Sequence, residues 1–111
     1  AESQETAKKY IEINEAEAEV LTSKERPIVL LKKKNDCELS EKIAPNNQFL
    51  GMMLPYSPLH YLLFSNNLDV LVMTSGNFSN EPIIKDNKEA LEKLSHLADS
   101  FLLHDREIFV Q

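Results

Sequence analysis

Glycine is scarce in this chain, with two in 111 residues, Gly51 and Gly76. No Walker-type phosphate loop can be built from them. Cysteine occurs once, at Cys37, which excludes an internal disulfide and any thiolate-rich zinc site within these residues. It stands beside Lys32, Lys33, Lys34, Asn35 and Asp36, in what reads as an exposed loop with an incidental thiol. The three histidines, His60, His96 and His104, lack metal-ligand spacing, and no Gly-x-Ser-x-Gly elbow or nucleophile triad is present. The residues single out no catalytic group. No apolar run approaches the roughly 18 residues of a membrane span, and no signal-peptide core is visible, so a cytoplasmic setting without membrane contact is expected. Positive charge is also in deficit: 12 Lys and Arg against 18 Asp and Glu give a net charge of -6. Duplex nucleic-acid binding needs clustered cations, so this balance disfavours it. The one basic run, Lys32-Lys33-Lys34, lacks interleaved aromatics and reads as a solvated strand end.

What is present is ordinary for a globular domain: 42% hydrophobic and 27% charged residues, enough for one domain with a modest core. Both ends read as cut. The start has no methionine, and Glu107 to Gln111 stops inside an apolar, strand-like run. An excised piece of a longer protein is the expectation.

Residues 1–13 are compatible with a polar helix whose apolar side is Ala7, Tyr10 and Ile11. Asn14 and Glu17 then form a capping box before a second helix faced by Ala16, Val20 and Leu21. Pro27 to Lys32 predicts a strand buried on both faces. Leu39 to Ala44 suggests one helical turn, and Leu50 to Leu54 a second strand. Ser57 and Pro58 provide N-cap and first residue of a helix buried through Leu59, Leu62 and Leu63. Asn66-Asn67 ends it, and Asp69 to Thr74 predicts a third strand. Asp86 and Glu89 make another capping box, followed by an apolar stripe of Ala90, Leu91, Leu94, Leu97 and Ala98. Short strands at Ser100 to His104 and Ile108 to Val110 complete the reading. The alternation implies an α/β (α+β) fold with a twisted mixed or parallel sheet and flanking helices. If the strands are parallel neighbours, the loops at Pro55-Tyr56-Ser57 and Thr74-Ser75-Gly76-Asn77 face one crevice.

The most informative stretch is Leu71 to Ser79, where an apolar run stops in Thr74-Ser75-Gly76-Asn77. Functionally, the Ser75 hydroxyl and Asn77 amide would donate to phosphate oxygens, and Gly76 would let a ligand approach the backbone. The plain alternative is a turn satisfied by Ser and Asn side chains. Both readings stand on the residues alone. In Leu54 to His60, Tyr56 could stack on a base, Ser57 with the start of its helix could bind an anion, and His60 could act as acid, base or donor; helix capping alone accounts for Ser57 and Pro58, with Tyr56 as a lid on the core and His60 on the flank. In His104-Asp105-Arg106, Arg106 could neutralise a phosphate with Asp105 orienting it or helping to hold a metal, or the three could be a charged turn.

With these residues quoted, the chain resembles the YrdC-like domain of HypF-type carbamoyltransferases, which mature [NiFe] hydrogenases. The resemblance is carried by Arg26 to Leu31, Ile43 to Pro45, Leu50 to His60, Val72 to Asn77 and Ala98 to Arg106, in that order. The Leu-Pro-Tyr-Ser-Pro-Leu-His run is the discriminating one. The resemblance implies a twisted α/β fold around a nucleotide cleft, with residues 1–111 forming part of one carbamoyl-adenylate-binding domain. It implies ATP with Mg²⁺, reacting with carbamate derived from carbamoyl phosphate, and a HypE-type partner for the parent protein. Zinc is implied only for upstream domains. Ser75 and Asn77 match the family's phosphate-contacting Ser-x-Asn, flanked by Thr74 and Gly76, and Arg106 falls near the same cleft. Two departures stand out: the family's basic Lys/Arg motif would lie before residue 1, and Asn80 replaces a usual glycine. Asn tolerates a left-handed backbone, so the loop should survive. Two related readings share the fold: a threonylcarbamoyl-adenylate synthase of tRNA modification, and a double-stranded RNA-binding module.

Overall fold

The structure is a computed structural model, and it describes residues 1–65 and 67–108. The chain divides into two compact units, Ala1–Val72 and Met73–Gln111. Each is described by itself.

The first unit is organised by two strands, β1 (Val29–Lys32) and β2 (Phe49–Met52), paired antiparallel with Leu31 opposite Leu50 and Val29 opposite Met52. Period-two alternation turns Leu31, Leu50 and Met52 inward and Leu30, Lys32, Phe49 and Gly51 outward. The inward set joins Ala1, Ala7, Ile11, Leu21 and Leu54 in one core, against which Tyr10, Val29 and Leu39 pack. Cys37 is half-buried against the same core, where an exposed thiol was expected.

The expected double burial of residues 27–32 is not observed. Ile28 and Leu30 are 68% and 70% exposed, because no second layer lies on that face among the described residues. Nor is the sheet parallel or mixed: it has two antiparallel strands. Asp69 to Thr74, expected as a third strand, forms none, and the described parts of Ser100 to His104 and Ile108 to Val110 form none either. Val110 lies outside the described residues. A strand exists only where a neighbour completes its ladder, and composition cannot supply that neighbour. The segment before Val72 is instead fixed to the chain start, with the Glu2 N–H donating to the Asp69 carbonyl (3.0 Å) and Lys9 paired with the Asp69 carboxylate.

Helix starts follow the sequence closely. Helix α1 (Gln4–Ala7) is capped by Ser3, whose hydroxyl also meets that of buried Thr6 at 2.9 Å. It is shorter than the expected helix over residues 1–13, since Ile11 leaves to bridge Lys33 and the Glu12 N–H donates to the Lys32 carbonyl. Helix α2 (Glu15–Thr22) opens on the reciprocal Asn14–Glu17 box, both bonds 2.9 Å, but of its expected face only Leu21 is buried. A single 3₁₀ turn (Glu41–Ile43) fills the expected helical turn. Helix α3 (Pro58–Leu63) begins with Ser57 accepting the His60 N–H at 3.3 Å. Its leucines Leu59, Leu62 and Leu63, expected to be buried, are exposed, because no apolar layer covers this six-residue helix among the described residues.

In the second unit, helix α4 (Asn87–Leu94) is capped by Asp86, which accepts the Glu89 N–H at 2.9 Å. Its stripe is only half covered: Ala90 and Leu94 are half-buried, whereas Leu91, Leu97 and Ala98 are exposed. Among the described residues, no helix is long and apolar enough to cross a membrane.

The two faces of β1 differ in a measurable way. Leu31→Ala should cost about 2–5 kcal/mol of unfolding free energy, whereas Leu30→Ala should stay within about 0.5 kcal/mol. Urea denaturation of both variants checks this, and an equal cost would mean that the outer face is covered.

Candidate functional site

The candidate site is the loop from Thr74 to Pro82, in the second unit. Its geometry is set by one amide side chain. Asn77 Nδ2 donates to the carbonyls of Phe78 and Glu81, each at 2.9 Å. Those bonds use both amide hydrogens. The Glu81 N–H closes a turn onto the Phe78 carbonyl at 3.0 Å, and the Ile84 N–H returns to the Gly76 carbonyl at 3.0 Å. Asn80 sits within that turn at φ 68°, the left-handed conformation that asparagine was expected to supply where the family has glycine.

The Asn77 amide donates to its own loop, the arrangement that the plain turn reading describes. Its Oδ1 is buried without a hydrogen-bond partner among the described residues. The Asn77 N–H donates to the Ser75 carbonyl at 3.1 Å, a tight turn centred on Gly76. Gly76 does not have a positive φ, and a Cβ there would meet Leu94 Cδ1 at an ordinary 3.7 Å. Neither the turn nor the packing therefore requires glycine, whose contribution is an open backbone face.

Thr74 and Ser75 are exposed, and their hydroxyls have no partner among the described residues. The hydroxyl of exposed Ser79, in the same loop, likewise has no partner among the described residues. Arg106 is exposed and lines a shallow cavity of about 370 Å³ with Lys85, Asp86, Asn87 and His104. None of Thr74, Ser75, Gly76 or Asn77 lines it. The Arg106 N–H donates to His104 Nδ1 at 3.2 Å, and Asn87 Nδ2 donates to the His104 carbonyl, so the His104-Asp105-Arg106 turn is tied to the start of α4.

Two anchoring residues escaped the sequence reading. Lys93 Nζ lies 2.9 Å from Glu89 and 3.8 Å from Glu81, linking α4 to the far end of the loop. The i,i+4 spacing of Glu89 and Lys93 signals half of this, but the Glu81 contact has no local signature. Glu89 first, then Glu81, holds the Lys93 ammonium above its ordinary pKa of 10.5.

The other candidate loop belongs to the first unit. Tyr56 and His60 meet edge to face with centroids 4.3 Å apart, and His60 Nδ1 is buried without a partner among the described residues. The premise of a shared crevice, parallel neighbouring strands, is not met. Among the described residues, no three His, Cys, Asp or Glu side chains are grouped to hold a metal ion.

Comparison with known proteins gives a consistent result. The Sua5/yciO/yrdC family model, described as telomere recombination, matches residues 1–111. Carbamoyltransferase HypF2 of Cupriavidus necator is 44% identical over 121 aligned residues, taking in 96% of this chain and 15% of that protein. Carbamoyltransferase HypF of Synechocystis is 50% identical over 95 residues, 86% of this chain and 12% of that protein. A crystal structure of full-length HypF in the phosphate- and nucleotide-bound form superposes with a TM-score of 0.86 at 50% identity, covering 98% of this chain and 17% of that one. T. kodakarensis HypF gives 0.87 at 43% identity, over 97% and 14%. The chain thus spans about a sixth or less of the length of these relatives.

Two measurements test the loop. Asn77→Asp places a carboxylate against two carbonyls and should cost the loop about 1–3 kcal/mol. Faster hydrogen exchange at the Ile84 amide is the readout, and unchanged protection would show that Asn77 does not hold the loop. Lys93 should titrate above 10.5 by NMR. Because its folded pKa is raised, its stabilising pairs persist through neutral pH and are lost only as pH rises through that folded value.

Proposed function

Because the chain belongs to the Sua5/yciO/yrdC family and is similar to one segment of the HypF carbamoyltransferases, we propose that it forms part of a carbamoyl-adenylate-forming domain. In this reading a carbamate oxygen attacks the α-phosphorus of ATP. The bond from that phosphorus to the bridging oxygen breaks, and pyrophosphate leaves. The carbamoyl adenylate then serves cyanide-ligand synthesis in [NiFe] hydrogenase maturation, through a HypE-type partner of the parent protein. Such chemistry needs positioned phosphates and stabilised charge more than a covalent catalyst.

The observation that carries the reading is the pair of exposed hydroxyls on Thr74 and Ser75, without partners among the described residues, beside an open backbone at Gly76 and on a loop held by Asn77. The Ser75 and Thr74 hydroxyls donate to phosphate oxygens, and Asn77 acts by shaping the loop. Gly76 permits close approach of the nucleotide, and Arg106 supplies positive charge to the anion. Mg²⁺ arrives with ATP and neutralises phosphate charge. Support also comes from the relative whose crystal structure is phosphate- and nucleotide-bound, although this chain covers 17% of it.

The test uses the intact parent protein. Ser75→Ala should lower carbamoyl-adenylate formation by about a hundredfold, the usual effect of removing one charge-stabilising donor. The double variant with Asn77→Ala should also lose ATP binding. Unchanged adenylate formation in the double variant would remove the site from this loop. Activity with threonine and bicarbonate in place of carbamoyl phosphate would redirect the assignment to threonylcarbamoyl-adenylate synthesis.

A further inference from the structure

Within the first unit, an open cavity of about 790 Å³ lies between the end of β1 and the segment leading into β2. Its lining carries Lys32, Lys33, Lys34 and Lys42 against a single carboxylate, Glu41. Asp36 and Glu38, though close in sequence, do not line it. Four cations facing one hollow run against the grain of a chain whose net charge is -6.

The ion pairs are distributed unevenly. Lys32 is satisfied by Glu12 at 2.9 Å. Lys33 Nζ donates to the neutral Ala44 carbonyl at 3.2 Å, which orients the ammonium without cancelling its charge. Lys34 and Lys42 have no carboxylate within ion-pair distance among the described residues. Lys34 is also half-buried, and its backbone is fixed by donation to the Tyr10 carbonyl at 3.0 Å. Ammonium groups without a counter-ion make the hollow electropositive. Asn47 adds a neutral donor, because its Oδ1 accepts the Phe49 N–H at 3.0 Å and leaves the amide hydrogens free to face a ligand.

We propose that this hollow is a second anion site, binding a small phosphate-bearing molecule through Lys33, Lys34 and Lys42. It is carried by the first unit alone and does not rest on the reading of the Ser75 loop. Its volume falls in the range of about 300–1,000 Å³ used for small ligands. Lysine ammonium groups act on phosphate as adjustable point charges, so three of them suit a compact multivalent anion. A nucleic-acid strand is the poorer fit: no aromatic residue lines the hollow to stack a base, and the rest of the chain would repel a long polyanion.

The probe is inorganic pyrophosphate, titrated into the 111-residue chain by calorimetry and followed by amide chemical shifts. Saturable binding to one site is expected, with shifts centred on residues 33–35 and 41–48, and weakening as salt is raised. Lys34→Gln combined with Lys42→Gln should weaken it by about tenfold or more. The control pair Lys8→Gln and Lys88→Gln, which removes equal charge elsewhere, should leave it unchanged. Lys34→Arg with Lys42→Arg should retain binding, which keeps the test decisive if the glutamine pair folds poorly. Non-saturating shifts, or equal loss in the groove and control variants, would overturn the site. A duplex RNA bound in preference to pyrophosphate, and lost in the same glutamine variant, would replace it with a nucleic-acid surface.

Discussion

The pairing of Leu31 with Leu50 organises the whole first unit. That pairing fixes the register of the two strands, and the register decides which side chains face inward. Leu31, Leu50 and Met52 then form a floor on which Ile11 and Leu21 close the core. A one-residue slip would turn Leu30, Gly51 and Phe49 inward and leave the core without its central leucines. The same ladder determines where β1 ends. Past Lys32, the chain is held by Lys33 donating to the Gln48 carbonyl at 2.7 Å and by Lys34 donating to that of Tyr10. The electropositive hollow is therefore a consequence of strand register as much as of lysine content.

In the second unit the organising element is polar rather than apolar. The Asn77 amide does for the loop what a ladder does for a strand: it satisfies carbonyls that would otherwise face water and fixes the backbone around them. Lys93 extends the same logic, reaching from α4 to Glu81 at the loop's far end.

Both units leave large apolar side chains in solvent, among them Ile28, Leu30, Leu62 and Val72. These residues explain why several burial expectations failed together. An apolar run states that a segment can be buried, not that another layer is present to bury it.

What the sequence determined by itself was local. The Asn14–Glu17 box, the Ser57-Pro58 start, the Asp86 cap and the left-handed turn at Asn80 all depend on groups within four residues of one another, so residue identity was enough. The ordered motifs around Leu50 to His60 and Val72 to Asn77 likewise carried the family. Tertiary structure decided everything that needs a distant partner: antiparallel pairing in place of a mixed or parallel sheet, the absence of a strand at Asp69 to Thr74, and the exposed faces of β1 and α3. It also decided that the Asn77 amide donates within its own loop, because only the positions of the Phe78 and Glu81 carbonyls set that contact.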